Sequence, residues 1–134
     1  MKSLLLFIII LLSPAAVYAS DWVLVGNTRS GDTFYIDKSS IMKEDGKSTV
    51  KELQVFNFPQ ITQSGNIFKQ TLLVKVYDCG NQNFTIIEAT GQDESGKTVF
   101  KENFDQYHQQ NPQKRWQKLS DGSMFRKSYK IACN

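Results

Sequence analysis

The chain has 134 residues, of which 40% are hydrophobic, 22% charged and 12% aromatic, with eight glycines and three prolines. This composition fits one globular domain and excludes disorder, collagen and coiled coil. A formal net charge of +3 is too balanced for a dedicated nucleic-acid binder.

The first element is a leader. Lys2 precedes an unbroken apolar run over residues 4–12, then Ser13-Pro14 and the small-residue site Val17-Tyr18-Ala19, the pattern of a secretory signal peptide. The apolar run is about half the ~20 residues a spanning helix needs. The expected leader is residues 1–19, leaving a single mature domain over 20–134 with no transmembrane segment. That length buries a core without metals or several disulfides. The expected location is exported: periplasm, cell surface or secreted.

Strand signals follow. Residues 22–25 and 33–37 are short apolar runs joined by the turn-rich stretch 26–32, a first hairpin. Residues 48–58 are rich in β-branched and aromatic side chains, follow the strong turn pair Asp45-Gly46 and end before Pro59. Over 69–77 a period of two puts Leu72, Val74 and Val76 on one face, with Thr71, Leu73, Lys75 and Tyr77 on the other. Residues 84–89 and 98–101 supply two more strands around the polar loop 91–97. Two turns look alike, 44–48 and 94–98, and hairpin chemistry explains both. Residues 103–114 are polar and glutamine-rich, with Phe104, Tyr107 and His108 at helix-compatible spacing in a segment too short to assign. Over 123–133, Phe125, Tyr129 and Cys133 recur at i, i+4 and i+8, so one stripe of a helix packs on the sheet while Arg126, Lys127 and Lys130 face water. Asp121 or Ser120 is its expected N-cap. The fold class is α+β: an antiparallel sheet of about six strands with a C-terminal helix packed on it.

Two cysteines in an exported chain admit one connectivity, Cys79 with Cys133. This disulfide staples the helix to the end of the fourth strand. No Cys-x-x-Cys and only one histidine make a metal site a poor reading, and no cofactor is expected. The stretch from Gly91 to Thr98 matches the phosphate-loop pattern G-x-x-x-x-G-K-[ST] letter for letter. That motif needs a helix after it, whereas Thr98-Val99-Phe100 reads as extended, and Asp93 and Glu94 would repel an anion. No nucleotide is expected. His108 is the sole imidazole and no nucleophile motif accompanies it, so the chain does not read as an enzyme. The carboxylate pairs Asp93-Glu94 and Glu44-Asp45 sit in turns. Asn83-Phe84-Thr85 is a glycosylation sequon in a host that attaches such sugars.

The charge distribution is uneven. From 114 to 130 there are six basic residues against Asp121 alone, a local +5, whereas 20–113 sum to −3. Lys114, Arg115 and Lys118 surround Trp116, and Arg126, Lys127 and Lys130 lie on the next element. This face suits an anionic glycan, an acidic protein or a phospholipid head group, the plainer reading being a solvated helix face.

Trp22, Tyr35-Ile36-Asp37 with Ser40-Ile41, Tyr77-Asp78-Cys79, Trp116-x-x-Leu119-x-x-Gly122-Ser123 and a final Cys133 occur in an order that resembles the surface-adhesin protein E family of Gram-negative bacteria. The resemblance spans nearly the whole mature chain. It implies a small antiparallel sheet with a C-terminal helix closed by a disulfide, and cell adhesion through host extracellular proteins such as vitronectin and laminin. Three positions depart from the family pattern: Asp121 stands where proline is expected, Gly80-Asn81-Gln82-Asn83 replaces basic residues, and there is no lipobox cysteine of the family's type member. The expected function is an exported, adhesin-like module binding host or extracellular-matrix proteins. Its alternative is a periplasmic structural or assembly partner of an envelope complex, and a third class is an enzyme using His108.

Overall fold

Short turns between apolar runs fold each strand back on the one before it. The computed structural model describes residues 19–134; residues 1–18 of the expected leader lie outside the described residues. Strands β1 (Trp22–Asn27), β2 (Thr33–Glu44), β3 (Lys47–Ile61), β4 (Ile67–Asp78), β5 (Asn83–Gln92) and β6 (Thr98–Asn103) form an antiparallel meander in chain order. Helix α1 (Asp105–Gln110), a 3₁₀ turn (Pro112–Lys114), the two-residue β7 (Gln117–Lys118) and helix α2 (Met124–Ala132) complete it. β7 pairs with the start of β5, adding a seventh strand to the expected six.

Three of the connections are one device used three times. Loops 28–32, 62–66 and 93–97 read Thr-x-Ser-Gly-Asp, Thr-x-Ser-Gly-Asn and Asp-x-Ser-Gly-Lys. In each, the glycine N–H donates to the carbonyl of the first residue, and the fifth residue's N–H donates to the first residue's side-chain oxygen. The glycines take φ of +90°, +87° and +83°, the left-handed region open to glycine at no steric cost. In a meander these loops all lie at one end of the sheet. The 44–48 turn, which resembled 94–98 in sequence, is different: Asp45 (φ 51°) and Gly46 (φ 72°) make a two-residue turn with both centres left-handed.

Two strand ends differ from expectation. β3 continues past Pro59, because its pairing with β4 slips between Val55↔Gln70 and Gln60↔Phe68. Pro59 sits in that bulge, where no ladder donor is needed. β2 runs on to Glu44 through a bulge between Asp37 and Met42, bridged by Ser40, whose hydroxyl donates to the Asp37 carbonyl (2.7 Å) and accepts from the Lys51 N–H (2.8 Å).

The period of two assigns the faces. Phe34, Ile36, Ser48, Val50, Glu52, Leu73, Lys75 and Tyr77 are buried on the side that α2 covers. Phe84, Leu119 and Ala132 close the core, with Phe125 and Tyr129 of α2 packed against it. The opposite face carries Leu24, Tyr35, Leu53 and Leu72 in register across β1 to β4, beside Val74 and Val76. Among the described residues none of these six is buried.

α2 starts at Ser123, whose hydroxyl accepts from the Arg126 N–H at 3.2 Å. The cap is therefore neither Asp121 nor Ser120; a residue in extended conformation directly before the helix is needed, and Ser123 holds it. The Cys79–Cys133 disulfide fixes the other end. Tyr129 donates to the Cys79 carbonyl (2.7 Å) and Ser48 to the Ala132 carbonyl (2.7 Å).

Candidate binding surface

β5 changes partner along its length. β6 pairs with its second half, from Glu88 to Gln92, and β7 with Asn83 and Phe84. Between them the chain from 104 to 116 leaves the sheet as a flap. It is anchored by the Phe104 N–H on the Ile87 carbonyl (3.0 Å), and neither α1 nor the 3₁₀ turn has a buried residue. Pro112 at the first position of the 3₁₀ turn supplies a preset φ and loses no hydrogen bond.

Beneath the flap lies a cleft of about 440 Å³. Ile86 of β5 forms its floor, Phe104, Tyr107 and His108 one wall, and Lys114, Trp116 and Gln117 the other. The His108 ring is tilted against Phe104 (6.3 Å between centroids) and edge-on to Tyr107 (5.8 Å). Lys114 is exposed and Trp116 half-buried. Among the described residues no carboxylate, serine or threonine hydroxyl or thiol lines this cleft, and its one hydroxyl is the Tyr107 phenol, so His108 has neither an aliphatic nucleophile nor an orienting acid beside it there.

The seven residues expected to bind do not form one surface. Lys114, Arg115, Trp116 and Lys118 share the flap and β7, with the Arg115 guanidinium 5.8 Å from the Trp116 ring. Lys127 and Lys130 are exposed on α2. The Lys127 ammonium lies over Gly26 of β1, 3.5 Å from where a Cβ would stand. β1 and β5 are four strand spacings apart, about 19 Å, so the positive charge is split between the two sides of the sheet. Arg126 corrects the expectation that it faces water. It is half-buried, pairs with Asp121 (3.2 Å), and donates to Gln82 Oε1 (3.1 Å) and the Leu119 carbonyl (2.9 Å). Those contacts tie α2 to the β4–β5 and β7–α2 connections, and they occupy the guanidinium. The cleft's aromatic wall was missed from sequence; the spacing of Phe104, Tyr107 and His108 was its only signal.

The phosphate-loop lookalike is a hairpin. Asp93 Oδ1 accepts from the Ser95 N–H (2.9 Å), the Ser95 hydroxyl (2.6 Å) and the Lys97 N–H (3.0 Å). A carboxylate thus takes the donors a phosphate would need, and the Ser95 hydroxyl leads in holding its pKa below the usual carboxylate range. Gly91 is spoken for as well: the Phe100 ring packs against it, 2.0 Å from where a Cβ would be. Asn83 is a strand residue paired with Asp78 and Lys118.

Several of the family marks have structural roles. Ile36 and Leu119 are core. Asp37 Oδ1 accepts from the N–H groups of Asp21 (2.9 Å) and Ser39 (3.0 Å). Gly122 turns with φ of +71° ahead of the Ser123 cap. A family model described as surface-adhesin protein E matches residues 22–134, from the first residue of β1 to the end of the chain. The chain belongs to the surface-adhesin protein E family. No curated protein matches it. Among the described residues no helix is long and apolar enough to cross a membrane.

Proposed function

We propose that this surface-adhesin protein E member is an exported module that binds a host or extracellular-matrix protein through the basic residues of the flap and β7. The observation that carries this reading is the placement of Lys114, Arg115 and Lys118 around Trp116, all three exposed and none in an ion pair among the described residues. Like charges left unpaired on one region raise the local concentration of an anionic partner, within a screening length of about 8 Å at physiological salt. A half-buried tryptophan among them supplies the apolar anchor that protein interfaces favour. Lys127 and Lys130 form a second, smaller patch.

The test is binding of the mature protein to immobilised vitronectin and laminin across a salt titration. Affinity should fall as salt rises. The triple variant Lys114→Glu, Arg115→Glu, Lys118→Glu should bind at least about tenfold more weakly, since each lost contact to a charged partner is worth on the order of 1 kcal/mol. Lys97→Glu should bind like wild type, because Lys97 serves the hairpin loop, through its backbone N–H and a weak charge attraction to Asp93, and is not among the flap and β7 basic residues. Wild-type affinity in the triple variant, with an unchanged circular dichroism spectrum, defeats the proposal. Protease treatment of whole cells separates it from a periplasmic assembly partner, which would be spared.

A further inference from the structure

The cleft under the flap combines two kinds of wall. Phe104, Tyr107 and Trp116 offer aromatic rings, and Lys114 and His108 offer nitrogen donors, with the Gln117 amide beside them. Its volume of about 440 Å³ falls within the ~300–1,000 Å³ of small-ligand sites. The carboxylates nearest in sequence, Glu102 and Asp105, line neighbouring recesses instead. Local charge inside the cleft therefore favours an anion.

The rings narrow the class further. An aromatic face is the negative part of its quadrupole, so it attracts the weakly positive C–H face of a sugar ring. Tyr107 is 46% exposed and Lys114 is exposed, which leaves the mouth wet. A wholly apolar ligand would remain half in water there, whereas a sugar stacks one face and keeps its hydroxyls hydrated. The Lys114 ammonium, a flexible point charge, then meets a carboxylate or sulfate on the ring.

We propose that this cleft binds an anionic sugar unit, carboxylated or sulfated, of an acidic polysaccharide. This rests on the reading above in taking the Lys114 and Trp116 side of the flap as the ligand-facing one. The test uses the full mature chain carrying Trp22→Phe, which removes the tryptophan at the opposite edge of the sheet and leaves Trp116 as the fluorescent reporter. The probes are a hyaluronan tetrasaccharide (carboxylate only), a heparin tetrasaccharide (sulfate and carboxylate) and chitotetraose (neutral).

Both acidic probes should saturate the Trp116 signal, and chitotetraose should bind at least about tenfold more weakly, the loss of one charge-assisted contact. A heparin signal without a hyaluronan signal would support the proposal and assign the anion as sulfate; equal signals would support it and assign the carboxylate. Lys114→Gln should weaken the acidic probes by about tenfold and leave chitotetraose unchanged. Tyr107→Ala, at an exposed position, should weaken all three with an unchanged circular dichroism spectrum. Equal affinity for neutral and acidic probes, or acidic binding undiminished in both variants, overturns the proposal. If vitronectin or laminin binds through the basic residues and no tetrasaccharide does, the sugar proposal falls alone. If the tetrasaccharides bind and neither host protein does, the adhesion reading falls and the cleft stands.

Discussion

Lys75 brings its amine into an enclosed part of the core, against the Glu52 carboxylate. Its side chain is 0% exposed and its ammonium sits 2.6 Å from Glu52 Oε2, while the Phe125 ring of α2 lies 3.4 Å away. Tyr77 donates to the other Glu52 oxygen. Burial pushes the Lys75 pKa below the ordinary lysine range, opposed by the Glu52 charge and hydrogen bond. Burial first, then the Glu52 charge, pushes the Tyr77 pKa far up, so its hydroxyl stays a donor. Each charge has a partner, and the carboxylate is satisfied on both oxygens. Glu52→Gln should therefore destabilise the fold by about 3–5 kcal/mol, because it leaves a buried ammonium without a counter-charge. The paired variant Glu52→Leu, Lys75→Met should come out near wild type. Urea unfolding at pH 7 measures both, and a single variant as stable as the pair would show that Glu52 does not hold Lys75 in the charged state. Lys75 shared a face with Leu73 and Tyr77 in the period-two reading, so its direction was legible. Its burial was not, since the face with Leu72, Val74 and Val76 is the more apolar of the two. Only the third dimension shows that Glu52, 23 positions away in sequence, stands beside it.

At the level of elements, strands and disulfide could be read because both depend on short-range rules: alternation along a strand, and one pairing for two exported cysteines. The errors fall where long-range contacts override those rules. Pro59 belongs to β3 because a bulge excuses it from the ladder. α1 is six residues long, below the ~12 at which a helix is stable on its own, and it exists because β5 and β7 hold the flap's two ends. Arg126 looked solvated by helix periodicity, yet Asp121, Gln82 and Leu119 recruit it. α2 is itself short, nine residues, so its tether matters. Closing a separation of 54 residues removes loop entropy worth roughly 4 kcal/mol from the unfolded chain. The double variant Cys79→Ser, Cys133→Ser should lose stability of that order, and its near-ultraviolet circular dichroism should weaken as the rings of Phe125 and Tyr129 loosen. An unchanged denaturation midpoint under oxidising conditions would assign α2 docking to Tyr129, Ser48 and the apolar stripe alone.

Across the whole molecule the sheet is one-sided, and that asymmetry decides where substitutions are felt. α2 covers the face that includes buried Ser48, Glu52 and Lys75, while the face bearing Leu24, Tyr35, Leu53, Leu72, Val74 and Val76 has no covering element among the described residues. Leu72 and Val74 are only half-buried, by their strand neighbours, so their replacement opens no enclosed cavity. Ile36 is 0% exposed and its truncation opens a void that its neighbours only partly fill. Ile36→Ala should therefore cost about 2–5 kcal/mol, whereas Leu72→Gln with Val74→Thr, at half-buried positions without an enclosed cavity, should cost less, about 1–2 kcal/mol together. Chemical denaturation of the three proteins under one buffer condition makes the comparison. A loss of several kcal/mol in the Leu72, Val74 variant would mean that something covers that face in the folded protein, and a concentration-dependent midpoint in wild type would identify that cover as a second copy of the chain.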